Sequence, residues 1–118
     1  MSPREIVRVA IQKGIRMLAI CDHNTAENVE AVMKAAHHQP LTVIPGMEIT
    51  TREEVHILGW FPEVDNALMV QDIIYAHLPG ENSPAAFGIQ PIVDEEGYIT
   101  GFNNHLLIGA TTLSVDET

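Results

Sequence analysis

Three short stretches of this chain set metal-binding side chains against apolar runs. Asp22-His23 follows Met17-Leu18-Ala19-Ile20-Cys21, Glu48 closes Leu41-Thr42-Val43-Ile44-Pro45-Gly46-Met47-Glu48, and His56 opens the run Val55-His56-Ile57-Leu58-Gly59-Trp60-Phe61. Short continuous apolar runs read as strands buried on both faces by crossover helices. In parallel α/β folds the polar residues just beyond the strand ends form the floor of the active site. A carboxylate and imidazoles converging on one such mouth suit zinc, manganese or iron, and the carboxylate can bridge two ions. Taken alone, Asp22-His23 fits equally a plain turn whose aspartate caps the next helix.

The elements around these residues alternate. Ser2-Pro3-Arg4-Glu5 is a capping box with proline at the first helical position, and Ile6, Val9 and Ala10 carry a helical period to Gly14, a natural stop. Asn24 or Thr25 can cap a second helix whose stripe is Val29, Val32, Met33 and Ala36 and whose end carries His37 and His38. A third helical pattern runs from Asp65 to His77. Ile92 to Ile99 reads as a β-hairpin with Gly97 at the left-handed position. Helix, strand, helix, strand in that order predicts an α/β fold with parallel strands, as an open sheet or a barrel. The chain opens on a helix with no strand before it. Ser114-Val115-Asp116-Glu117 is a second capping box just before Thr118, so the expectation is one partial domain over residues 1–118.

Composition narrows the function. Of 118 residues 46% are hydrophobic and 19% charged, which excludes a disordered chain. No apolar run approaches the roughly 20 residues of a membrane span, and no apolar signal core follows Met1. A single cysteine, Cys21, forms no internal disulfide, so the expected location is the reducing cytoplasm, away from membranes. Six Lys and Arg against sixteen Asp and Glu give a net charge of −10, and no Lys or Arg lies beyond Arg52. Such a surface repels phosphate backbones, which argues against duplex nucleic acid as a partner unless a metal supplies positive charge.

In combination the three stretches resemble the second and third motifs of the PHP (polymerase and histidinol phosphatase) domain. The match lies in the strand into Asp22-His23, with Cys21 where the family has Thr, then Pro45-Gly46-Met47-Glu48, then His56-Ile57-Leu58-Gly59. The resemblance covers residues 2 to 61 well and the rest loosely. It implies a metal-dependent phosphoesterase on a distorted seven-stranded β/α barrel, here a partial one with a C-terminal hairpin, with divalent ions (Mn, Zn or Fe) at the strand ends. By position Glu48 resembles the family's bridging carboxylate, His56 a ligand of one bridged ion and His23 a ligand of a third. Asp22 resembles a residue that orients a metal-bound imidazole. The substrate implied is a phosphorylated small molecule or nucleotide.

The family's first motif, a His-x-His on an opening strand, and its last are absent from these residues, which leaves each implied ion short of three protein ligands. The expectation is therefore a phosphoesterase site incomplete in this chain. The alternatives are a non-catalytic remnant acting as a binding or oligomerising module, and an unrelated acidic α/β module with structural histidines. Uncovered strand edges predict self-association. The remaining histidines have plainer roles: His37 and His38 are solvated, and His77 and His105 belong to a helix end and a turn. Trp60 and Phe61 are expected in the core, with Cys21 a small strand residue beside it.

Overall fold

Helix α1 (Pro3–Gln12) begins where both capping-box bonds form. Ser2 Oγ accepts the Glu5 N–H at 3.2 Å, and Glu5 Oε2 accepts the Ser2 N–H at 2.9 Å. It stops before Gly14, which takes a φ of +74°. The computed structural model describes residues 1–118. After α1 come β1 (Met17–Ile20), α2 (Val29–Ala35), β2 (Thr42–Thr50), β3 (His56–Trp60), α3 (Val64–Ala76), α4 (Pro84–Phe87), β4 (Pro91–Val93) and β5 (Ile99–Phe102). A single 3₁₀ turn, Val115–Glu117, ends the series. No helix is long and apolar enough to cross a membrane.

The fold is mixed α/β, with one open sheet in the order β1-β2-β3 and a separate β4-β5 hairpin, and the strands form no closed barrel. The expectation of parallel strands holds for β1 and β2, paired from Met17↔Thr42 to Ile20↔Pro45. It fails for β3, which runs antiparallel to β2 from Gly46↔Trp60 to Thr50↔His56. The reason is chain length: a parallel return needs a crossover of a dozen or so residues, and only the short loop from Thr51 to Val55 separates β2 from β3.

Two apolar clusters hold the layers. Val7 and Ala10 of α1 meet Val32 and Ala35 of α2, with Ala36 and Leu41. Met47 and Ile49 of β2 meet Ala26, Val29, and Ala67 and Ile74 of α3. Side chains alternate along a strand, so Met47 and Ile49 facing this core turn Gly46, Glu48 and Thr50 to the opposite face.

That opposite face is open at Met17, Leu58 and Trp60, although Gly46 and Thr50 on it are buried, and this corrects two expectations. Strand β1 is not buried on both sides: Met17 is 61% exposed and one β1 edge has no partner strand. Trp60 is 68% exposed, because it shares the open face with its pairing partner Gly46, whereas Phe61 beyond the strand packs on the second cluster.

Helix α2 starts at Val29, later than its expected cap, because neither Asn24 nor Thr25 caps it; both side chains are engaged elsewhere. The hairpin forms as expected, with Gly97 at φ +92°. Asn28 fastens it by donating to the Pro91 carbonyl at 3.1 Å and accepting the Val93 N–H at 2.9 Å. Arg4 of α1 pairs with Glu96 at its tip.

Candidate metal centre

The parallel ladder between β1 and β2 resumes after β1 ends. Glu48 N–H donates to the Asp22 carbonyl at 3.0 Å and Asn24 N–H to the Glu48 carbonyl at 2.7 Å, so His23 bridges directly to Glu48. Both side chains therefore rise from the open face. His56 enters the same face from β3, opposite Thr50.

Gly46 is what lets the strands approach. A Cβ there would lie 2.6 Å from Cys21 Sγ and 2.8 Å from the Ile20 carbonyl oxygen, so Pro45-Gly46-Met47-Glu48 needs glycine two residues before the carboxylate.

One ligand atom from each of His23, Glu48 and His56 lies within 4.8 Å of the others. His56 Nδ1 is 2.7 Å from Glu48 Oε1, and His23 Nδ1 is 3.8 Å from Glu48 Oε2. The two imidazoles meet edge to face, with centroids 5.7 Å apart. The imidazoles are exposed and the carboxylate half-buried. Two imidazole nitrogens and a carboxylate are the donor set of a catalytic zinc that keeps an open coordination position, and the set fits a divalent cation.

Asp22 stands beside this group without joining it. Its carbonyl carries the bond to Glu48, its carboxylate hydrogen-bonds to no imidazole, and loss of water raises its pKa while His23 pulls the other way. Burial likewise pushes the Cys21 thiol up, with a contact from Trp60 opposing it; Cys21 lies just past the end of β1 and not within the strand as expected. The other histidines are engaged locally: His77 Nδ1 contacts the Ile73 carbonyl at 2.8 Å, and His105 stacks on Tyr75 at 3.9 Å.

Two features escape a reading by residue type. Asn24, fully buried at a φ of +53°, accepts the Thr50 N–H at 3.0 Å and donates to the Leu107 and Gly109 carbonyls at 2.8 Å each. Its signal was present, since asparagine is the side chain that best tolerates the left-handed region. The second is a polar network: Tyr75 Oη lies 2.7 Å from Thr25 Oγ1, accepts from Asn103 at 2.6 Å and donates to Glu27 at 3.3 Å. Desolvation pushes the Tyr75 hydroxyl up to about 12, against the pull of Thr25 and Asn103. Its members are scattered along the chain and carry no spacing signal.

The chain is similar to known proteins over about half of its length. The chain is 37% identical over 62 residues to a 5'-3' exoribonuclease of Haemophilus influenzae, across 50% of this chain and 23% of that protein. It is 40% identical over 63 residues to an uncharacterized protein of Methanocaldococcus jannaschii, across 53% of this chain and 36% of that protein. The matched segments thus span about a quarter and about a third of these relatives. No solved structure matches the chain. The sequence model of the PHP domain matches residues 1–111. That match runs through both strands that meet at His23 and Glu48 and on through His56, so the chain belongs to the PHP domain family, which is of phosphoesterase type.

Proposed function

We propose that the chain carries part of a metal-dependent phosphoesterase site in which His23, Glu48 and His56 hold a divalent cation. The observation that carries this reading is their convergence within 4.8 Å on the open face of the sheet. The chemistry a cation supplies there is activation of water and neutralisation of phosphate charge. Glu48 stands between the two imidazoles and is the group able to contact ions on either side. His56, held by Glu48 at 2.7 Å, presents its ring to that space in a fixed orientation. The acidic chain draws a phosphate only through such a cation, so the substrate in this reading is a phosphorylated small molecule or nucleotide. RNA enters as a candidate through the name of the Haemophilus relative. A cytoplasmic location belongs to the same reading, supported by the single unpaired Cys21.

The test is the manganese and zinc content of the purified chain after exchange against each ion, followed by phosphate release from a nucleoside monophosphate. At least one ion per chain, lost on Glu48→Ala, is expected. Ion content unchanged by that substitution would overturn the ligand assignment.

A second reading, a binding or oligomerising module, has its own support in the open β1 edge and the exposed Met17, Leu58 and Trp60. Self-association through that face is the corresponding proposal.

A further inference from the structure

Beside the cluster, and sharing His23 with it, lies a cavity of about 220 Å³ between the turn that follows β1 and the start of the hairpin segment. Its walls are built. Thr25, 4% exposed, and Asn103, 7% exposed, form part of the lining and are tied together through the Tyr75 hydroxyl behind them.

The side-chain amide donors around the cavity are largely engaged, with one hydrogen left on each of Asn28 and Asn103. Asn28 donates to the Pro91 carbonyl, and Gln90 Nε2 to the Asn103 carbonyl at 2.9 Å and the His105 carbonyl at 2.6 Å. The single Thr25 hydroxyl hydrogen is shared between Gln71 Oε1 at 3.2 Å and Tyr75 Oη at 2.7 Å. The open acceptors are the Asp22 carboxylate, the Glu27 oxygen not bonded to Tyr75, and Gln90 Oε1. Two carboxylates keep a phosphate out of the cavity itself, while free acceptors beside the apolar Pro91, Ile92 and Leu107 suit a ring that carries hydroxyl donors. The volume is below that of pockets which enclose a whole ligand, about 300 Å³ and upward, so it takes one ring and not an entire nucleotide.

We propose that this cavity receives the alcohol part of the phosphate ester, a vicinal diol of the ribose kind. Its hydroxyls donate to Glu27 and Asp22 while the phosphate lies on the side of His23 that faces Glu48 and His56. The assignment of the phosphate rests on the phosphoesterase reading; the diol preference does not.

The test therefore uses nucleosides, which carry no phosphate. The metal-free 118-residue chain is titrated with adenosine and with the dideoxy analogue lacking both vicinal ring hydroxyls, and the side-chain amide resonances of Asn28, Gln90 and Asn103 are followed by NMR. Adenosine is expected to bind roughly tenfold more tightly, as the loss of two hydrogen bonds implies. Glu27→Gln keeps an oxygen for Tyr75 and turns the open acceptor into a donor, so it should reduce the difference to what the Asp22 bond alone supports, roughly threefold. Equal binding of the two nucleosides, no shifts with either, or a preference undiminished by Glu27→Gln overturns the proposal. Manganese uptake is measured on the same sample. Diol preference without uptake overturns the phosphoesterase reading and keeps the cavity assignment; uptake without preference does the reverse.

Discussion

Glu48 reaches His56 diagonally across the antiparallel pair. In register Glu48 faces Leu58 and His56 faces Thr50, yet Glu48 Oε1 and His56 Nδ1 are 2.7 Å apart. Diagonal neighbours on one face of a sheet lie within reach of long side chains, so the contact needs no distortion of the ladder. Its consequence is a carboxylate turned along the strand with its second oxygen toward His23, 3.8 Å away.

Glu48→Ala is accordingly expected to remove metal uptake at little cost in stability. The carboxylate's partners are two exposed imidazoles, and such pairs contribute at most about 1 kcal/mol. In the parent chain manganese should raise the melting temperature and a chelator should reverse the rise, because a ligand bound only by the folded state stabilises it. Calorimetry of both proteins with and without manganese checks this; a manganese-dependent rise that persists in Glu48→Ala contradicts it.

Gly46→Ala should destabilise the chain by about 1–3 kcal/mol, the usual cost of overpacking. The added methyl meets Cys21 Sγ at 2.6 Å and the Ile20 carbonyl oxygen at 2.8 Å. Adding Cys21→Ala should recover only part of the loss, since the backbone oxygen stays. Denaturant unfolding of the single and double variants measures it, and full recovery in the double variant would place the whole clash on the thiol.

Asn24→Ala removes three hydrogen bonds and leaves a non-glycine residue at φ +53° without side-chain support. A loss of roughly 2–4 kcal/mol is expected. Asn24→Asp should keep the bond from Thr50 N–H and lose both donated bonds to the segment at Leu107 and Gly109. Amide exchange should then stay slow at Thr50 in Asn24→Asp and become fast there in Asn24→Ala.

Tyr75 gives a pH dependence with a definite sign. Its hydroxyl is raised to about 12 in the folded chain, chiefly by desolvation, against about 10 in an unfolded one. The folded state holds the proton more tightly, so the Tyr75 contribution to stability is complete below about pH 10 and lost as pH rises toward 12. A phenolate titration should show one tyrosine ionising near 12, and Tyr75→Phe should delete that component. Its persistence in the variant would assign the late titration to another group.

Self-association through the open face is checked by light scattering over a range of concentrations. A mass above one chain that falls with dilution is expected, and a single-chain mass throughout contradicts it.

Local signals were enough for much of this protein. The capping box at Ser2, the stop at Gly14 and the left-handed Gly97 were legible because each depends on side chains within a few positions of one another. Strand direction was not legible from the apolar runs, since a parallel and an antiparallel β3 bury the same pattern. The length of the Thr51 to Val55 loop decided it. The exposure of Trp60 followed from which face of the sheet the helices cover, and the fate of Asn24 and Thr25 from partners as far away as Gly109 and Tyr75. The sequence by itself determined most elements, the cap of α1 and the types of the three converging side chains. Only the tertiary structure brought His23, Glu48 and His56 to one face and closed a cavity against His23, because those relations depend on contacts between segments that no spacing along the chain encodes.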